Sequence, residues 1–332
     1  MDNKKKEYFN EMNVMRGMAV ICVVIGHSFN PTNTPTVLGY LHSFVYCFHM
    51  PAFFFISGFL TKNTSMNNKD KIKKIKKKAQ RLLIPYLSLT IVTIILKVIF
   101  GAFARNSLDY DTLFVDILLG QNNPNGGLWF LYALFIISSI GIALMNVNKY
   151  CLAVIAFILH IMNSVWFKQD GNILGFILIY SCYYFGGMVV RILYPRIKGC
   201  INSVSIVTIV SVMYMFLAYI RIYIVDIWYY TFFITIAGIF VLFLTARKIE
   251  KKTKVFWSLE TIGFYGMDIY MIGYYVQQAV YVILGKILGI DYVIYSGCMC
   301  IAGLILPIVI SKYIVKKNSV LSFLILGEKI EK

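Results

Sequence analysis

Residues 37–60 read VLGYLHSFVYCFHMPAFFFISGFL, 24 consecutive positions without an aspartate, glutamate, lysine or arginine. About 20 apolar residues carry a helix across the hydrocarbon of a bilayer, so this stretch is read as one crossing. Nine further runs of the same character follow from the sequence: Val14–Phe29, Arg81–Phe103, Leu128–Met145, Tyr150–Phe167, Asn172–Tyr194, Ile201–Val225, Ile227–Ala246, Gly263–Leu284 and Tyr292–Ile314. A cut at Asp226 is forced on length, because one helix from Ile201 to Ala246 far exceeds a single crossing. Composition agrees. Of 332 residues 59% are hydrophobic and only 14% charged, with a mean hydropathy of +0.72, whereas soluble domains carry about a quarter charged residues. The expected fold is an all-α polytopic membrane bundle of about ten transmembrane helices, one domain over residues 1–332 with short cytosolic tails. The runs lack the two-residue alternation of a barrel strand. No cleaved signal peptide is expected, since the first run has no small-residue cleavage site and nine more runs follow.

The formal net charge of +17 raises the question of nucleic acid, and its placement answers it. With Lys4, Lys5 and Lys6 inside, the cytosolic ends of ten spans hold 27 of the 32 lysines and arginines. They include Arg16, the run from Lys62 to Arg81, Lys149, Arg191, Arg196, Lys198, Arg247 to Lys254, and Lys312 to Lys332. The outer ends hold Arg105, Lys168, Arg221 and Lys286, and Lys97 lies within a span. The positive-inside rule produces this split, so both termini are expected in the cytosol and no nucleic-acid partner is needed.

Seven cysteines show no pairing pattern. Cys298 and Cys300 point to different helix faces and no second pair or histidine completes a metal site, so no metal is expected and the thiols read as small apolar filler. The segment KDKIKKIKKKAQR (residues 69–81) reads as a lysine-rich surface helix on anionic lipid. The tail from Ser319 to Ile330 reads as an amphipathic piece resting on the inner leaflet. The longest outer loop, about residues 104–127, carries Asp109, Asp111 and Asp116 and then the turn-rich QNNPNGG.

Residues 16–27, RGMAVICVVIGH, place ten uncharged residues between an arginine and a histidine. Eleven steps of about 100° make three turns plus about 20°, so Arg16 and His27 share one helix face, roughly 16 Å apart. Arg16 is at the cytosolic end and His27 at the outer end. His42 and His49, seven residues apart, are also nearly co-facial in the next run. Three of the four histidines therefore gather in the outer half of two consecutive spans, while His160 stands alone. A lone histidine at a helix end reads first as an interfacial or core residue. A cluster in a wet cavity instead supplies a general base for a hydroxyl, and arginine at the inner end of the same face suits a phosphate.

These features together resemble the integral-membrane acyltransferase family 3. The Arg16–His27 spacing, FHMPAFFFISGF at residues 48–59, KKKAQRLLIPYL at 76–87 and GGLWFLYALF at 126–135 carry the resemblance, which spans about Asn13 to Lys317. It implies an acyl-CoA-dependent O-acyltransferase that moves an acyl group, usually acetyl from acetyl-CoA, to a hydroxyl of an extracytoplasmic carbohydrate such as a surface polysaccharide or its precursor. By position, His27 is similar to the family's essential histidine and Arg16 to its paired arginine, with His49 as a further candidate. Lys78 and Arg81 resemble the family's basic pair and are assigned with Arg16 to the donor's phosphates. Lysine at 78 keeps the charge but loses bidentate grip. Trp129, with His42, is assigned to the acceptor. Interfacial anchoring for Trp129 and plain positive-inside topology for Lys78 and Arg81 are the alternative readings. Gly273 stands where relatives often have histidine and is given no catalytic role.

Asp268 is expected to pair with a cytosolic-side cation, Arg191 and Arg221 to snorkel, and Tyr180, Tyr183 and Tyr184 to pack. The expected location is a bacterial cell (inner) membrane, multi-pass, with the lipid bilayer, the acyl donor, the carbohydrate and an optional extracytoplasmic protein as partners. The competing function is an exporter without acyl transfer, since intramembrane histidine and arginine also suit proton-coupled transport. Against it stands the absence of an inverted repeat or a matched pair of broken helices.

Overall fold

The computed structural model describes residues 9–29, 36–62, 64–101, 108–169, 171–197, 204–223, 227–249 and 253–329. The expectations placed on Lys4, Lys5, Lys6, Arg105, Lys198, Cys200, Asp226, Lys251, Lys252 and Lys332 fall outside these residues. Helices dominate, and no strand occurs among the described residues. In chain order they are α1 (Asn10–Ser28), α2 (Thr36–Tyr46), α3 (His49–Leu60), α4 (Asn68–Ile99), α5 (Leu113–Leu119), α6 (Trp129–Ala143), α7 (Lys149–Met162), α8 (Ile173–Ile197), α9 (Val204–Tyr223), α10 (Trp228–Lys248), α11 (Lys254–Phe264), α12 (Gly266–Val280), α13 (Tyr292–Tyr313) and α14 (Ser319–Leu326). A π-helical turn continues α7 through Phe167 and another continues α12 from Tyr281 to Ile287.

Six stretches are long and apolar enough to cross a bilayer: Val37–Leu60, Asn68–Ile99, Lys149–Phe167, Ile173–Ile197, Trp228–Lys248 and Tyr292–Lys317. The protein is therefore a multi-pass membrane protein. The other four expected runs are also helical but fall short of that standard. Trp129–Ala143 and Ser205–Arg221 are shorter apolar helices. Asn10, Glu11, Asn13 and Arg16 make the start of α1 polar, and the ninth run is interrupted at Tyr265.

Two interruptions and one extension depart from the sequence reading. Residues 37–60 are not one helix: the chain turns at Cys47 and Phe48 and restarts as α3. Pro51 in the first turn of α3 explains the restart, since proline lacks the N–H that a continuous helix would need there. The Cys47 carbonyl released by the turn accepts a hydrogen bond from Thr235 Oγ1 at 2.7 Å, which keeps a backbone acceptor satisfied away from water. Conversely, the lysine-rich segment is no separate surface helix. It forms the first turns of α4, which runs unbroken for 32 residues from the Asn67 cap. Lysine, alanine, glutamine, arginine and leucine all favour helix, and nothing between Lys76 and Leu83 breaks it. On the outer face of α4, exposed Lys69, Lys73, Lys76 and Lys77 give way to exposed Leu87, Ile91, Ile95 and Val98. That switch marks where the helix passes from water to lipid.

The chain divides into two compact units. The first comprises residues up to Phe53 together with Ile197–Gly266. Here α1 packs against α11, α10 and α2, and α9 packs against α10 and α2. Two glycines bring α1 and α11 backbone to backbone. A Cβ on Gly17 would fall on the Leu259 carbonyl oxygen, and one on Gly263 would fall on that of Asn13. Small residues at such crossings replace side-chain packing with close helix approach. Tyr214, 2% exposed, donates to the Phe44 carbonyl at 3.0 Å.

The second unit comprises Phe54–Arg196 and the residues from Met267 onward. It uses the same device. A Cβ on Gly58 of α3 would strike the Tyr184 carbonyl oxygen, and one on Gly187 of α8 would strike that of Phe55. The loop at residues 121–127 folds inward. Asn123 Nδ2 donates to Thr90 Oγ1 at 2.8 Å, and Asn125 Oδ1 accepts from the Gly127 N–H at 3.1 Å. Tyr270 donates its hydroxyl to the Gly127 carbonyl. Buried Asp116 accepts from Thr112 Oγ1 at 2.9 Å and Gln121 Nε2 at 3.2 Å.

Arg191 and Arg221 both have hydrogen-bond partners inside the protein. Arg191 donates to the Phe59 carbonyl at 2.9 Å, and Arg221 Nε donates to Thr231 Oγ1 at 3.2 Å. Tyr180, Tyr183 and Tyr184 pack as expected, with Tyr184 fully buried and its hydroxyl 3.0 Å from Thr61 Oγ1.

The glycine crossing makes a sharp prediction. Gly17→Val and Gly263→Val each force a side chain into backbone, so each is expected to cost at least the ~1–3 kcal/mol typical of overpacking. Gly297→Ala, where nothing lies within 4 Å, is expected to stay within about 0.5 kcal/mol. Thermal unfolding of the detergent-solubilised protein measures the difference.

Candidate active site

The first unit holds the histidine cluster. Arg16 and His27 both lie in α1, as their spacing requires, and Arg16 is half-buried while His27 is exposed. The α1–α11 crossing at Gly17 sets the surroundings of Arg16. Its stem passes Gly266, where a Cβ would lie 3.2 Å from Arg16 Cδ, and its guanidinium donates to Asn13 Oδ1 at 3.4 Å. The absence of a side chain at 266 thus gives the arginine room to run along the helix.

His42 and His49 are separated by the turn at Cys47 and Phe48, so their seven-residue spacing does not make them co-facial on one helix. They come together through Tyr46. Its ring stacks on His42 with centroids 4.1 Å apart and meets His49 edge-on at 4.7 Å. It also presses on Gly26, next to His27; a Cβ there would lie 2.7 Å from Tyr46 Cε2.

His49 is 3% exposed, and its Nδ1 lies 2.8 Å from the Val45 carbonyl. A carbonyl only accepts, so Nδ1 carries the proton and Nε2 is the basic nitrogen of the neutral ring. Orientation of one imidazole nitrogen by a fixed acceptor is how proteins select a tautomer for base chemistry. The neutral ring is left with Nε2 as a hydrogen-bond acceptor.

The second unit holds the other candidates. Lys78 and Arg81 lie one turn apart on α4, Lys78 half-buried and Arg81 exposed. The Arg81 guanidinium makes no hydrogen bond or ion pair with the described residues, which leaves its fork available to an anion. Lys71 and Lys149 are committed elsewhere. Lys71 donates to the Ala143 carbonyl at 2.9 Å, and Lys149 donates to the Val147 carbonyl at 2.7 Å and to that of Met145. They neutralise the carbonyl-rich end of α6.

Trp129 opens α6 in an aromatic stack. Its ring lies 4.1 Å from Phe176, tilted 29°, with Tyr180 at 5.3 Å and Phe54 at 6.5 Å. One indole face is therefore already covered by Phe176, so a sugar ring has only the remaining exposed part to stack on. Asp268 pairs as its position suggested, with Lys316 Nζ 2.7 Å from its Oδ2. His160 is buried, its Nδ1 3.2 Å from the Ile179 carbonyl.

Sequence reasoning missed Tyr46. It sits in an aromatic-rich stretch where no local signal separates it from Phe44 or Phe48, and only the broken helix brings its ring between two histidines.

The profile of acyltransferase family 3, described as an acyltransferase domain, matches residues 9–312, and the chain belongs to that family. No curated protein and no solved structure matches the chain. Membership makes the protein a membrane acyltransferase.

Tyr46 yields a direct test of the cluster. Tyr46→Ala is expected to free His42 and His49, so that their carbethoxylation by diethyl pyrocarbonate speeds up severalfold, while Tyr46→Phe leaves it unchanged. Mass-spectrometric mapping of the modified histidines reads the outcome.

Proposed function

We propose that this protein transfers an acetyl group from acetyl-CoA on the cytosolic side to a hydroxyl of an extracytoplasmic carbohydrate, such as a surface polysaccharide or its precursor. The observation that carries the reading is the family match over residues 9–312. The histidine cluster with Arg16 in the first unit supports it from geometry. The proposed setting is a bacterial cell membrane, with ten crossings and both termini cytosolic.

In this reading the acceptor's O–H proton passes to the imidazole of His27 as its oxygen attacks the thioester carbonyl. The C–S bond of the tetrahedral intermediate then breaks, and the departing CoA sulfur takes the proton. A positioned general base of this kind contributes about 10²–10⁴-fold to rate. His49, with its proton held on Nδ1 by Val45, presents a second basic nitrogen to relay that proton. Lys78, Arg81 and Arg16 are assigned to the donor's phosphates. Arg81 suits that task because its guanidinium is exposed and uncommitted among the described residues, and a guanidinium fork matches phosphate bidentately. Trp129 and His42 are assigned to the acceptor, and an extracytoplasmic protein is a candidate intermediary.

The experiment deletes the gene in its own cell and restores it as wild type or His27→Ala at matched membrane levels. Base-labile acyl esters on isolated surface glycans are then quantified by NMR. Esters are expected to vanish on deletion, to return with wild type, and to stay at least about 100-fold lower with His27→Ala. Loss of glycan from the surface with unchanged acyl content per sugar would instead identify an exporter.

A further inference from the structure

The segment that follows α13 is fastened to the second unit at two places, and one of them is the backbone of Arg81. The first fastening is ionic. Lys316 Nζ lies 2.7 Å from Asp268 Oδ2, and Ser311 Oγ donates to the same oxygen at 2.5 Å. Asp268 is 5% exposed, so the carboxylate is shielded from water, where such a pair holds firmly only with its hydrogen bonds complete. From there Asn318 caps α14, its Oδ1 accepting from Val320 N at 2.9 Å and Leu321 N at 3.1 Å.

The second fastening is made by the end of α14. Gly327 closes that helix with φ +63°, a backbone conformation that favours glycine. It lies directly on α4: a Cβ there would reach within 2.6 Å of Arg81 Cα and closer still to the Gln80 carbonyl oxygen. Gln80 Nε2 donates to the Gly327 carbonyl at 3.1 Å, and Ser88 Oγ donates to the Leu324 carbonyl at 2.5 Å. The two contacts fall on either side of Pro85. Proline at 85 removes the helical donor that would have bonded the Arg81 carbonyl, so this is the weakest turn of α4. The segment docks across it.

We propose that residues 315–327 are an intrachain brace that fixes the turn of α4 carrying Lys78 and Arg81, and thereby sets the protein's affinity for the phosphate groups of its acyl donor. The inference rests on the assignment of those two residues to the donor. The brace lies beyond the family match, which ends at residue 312. Its physical basis is direction. A guanidinium binds phosphate bidentately only when its fork is aimed, and exposed Arg81 has no other tether among the described side chains.

The test uses the full-length protein in membranes that contain the acceptor, with acetyl-CoA as the probe. Its dissociation constant, and the KM and kcat of thiol release, are measured for Gly327→Val, Gln80→Ala with Ser88→Ala, Arg81→Ala and Gly101→Ala. Gly101 borders the other end of α4 with nothing within 4 Å and serves as the control. Gly327→Val and the milder double variant are expected to raise the acetyl-CoA KM about tenfold, as a misaimed binding group does. Arg81→Ala raises it at least as much, and kcat at saturating donor stays near wild type in the two brace variants and in Gly101→Ala. If Arg81→Ala weakens the donor while both brace variants bind it normally, the brace is overturned and the donor assignment stands. If Arg81→Ala itself binds acetyl-CoA normally, the donor assignment fails and the brace falls with it. The double variant removes only two hydrogen bonds, so the question survives if Gly327→Val does not fold.

Discussion

The interior of a bilayer offers no water, and every backbone polar group carried into it must find a partner within the protein. That constraint shapes this chain residue by residue. Hydroxyls in the helices turn back to the carbonyl one turn earlier: Ser28 to Val24 at 2.8 Å, Thr90 to Tyr86 at 2.6 Å, Thr93 to Leu89 at 2.8 Å and Ser181 to Ile177 at 2.5 Å. Arginines 191 and 221 obey it by donating to a carbonyl and a hydroxyl inside the protein. Where a helix breaks, as at Cys47, a threonine takes the released carbonyl.

The histidines are the same constraint turned to use. A neutral imidazole needs only one donor bond and one acceptor bond, so it enters a membrane far more cheaply than a charged side chain. His49 meets half of that need through Val45 and in doing so commits its tautomer. The Tyr46 ring supplies the remaining order by packing against His42 and His49, where a more polar neighbour would compete for their nitrogens.

Glycine does comparable work on the backbone. Between helices in lipid, close approach takes the place of the hydrophobic effect. Gly17 with Gly263, and Gly58 with Gly187, each let one helix rest on another's backbone. The first crossing also sets the surroundings of Arg16, which is adjacent to Gly17 and runs past the bare Gly266. At Gly327 the same absence of a Cβ lets a terminal turn lie on α4.

Local sequence was enough to identify a helical membrane protein, and six of the ten apolar runs it marks are long and apolar enough to cross a bilayer. About 20 mostly apolar residues suit such a crossing, and a 3.6-residue helix fixes which of their residues share a face. The Arg16–His27 relationship was legible for that reason, since both lie in one uninterrupted helix. The pairing of Asp268 with a cation was legible too, because a buried carboxylate demands one. What local sequence did not determine is whatever depends on a second segment. The break before Pro51 separated His42 from His49 as helix neighbours, and Tyr46 rejoined them through space. The lysine-rich stretch became the start of α4, since no breaker intervened. The carboxyl-terminal tail gained a docking site on α4, because the bare Gly327 rests on the Gln80–Arg81 backbone. Such contacts join residues as far apart in sequence as Gln80 and Gly327, and no periodicity along one segment encodes the shape of the surface it will meet.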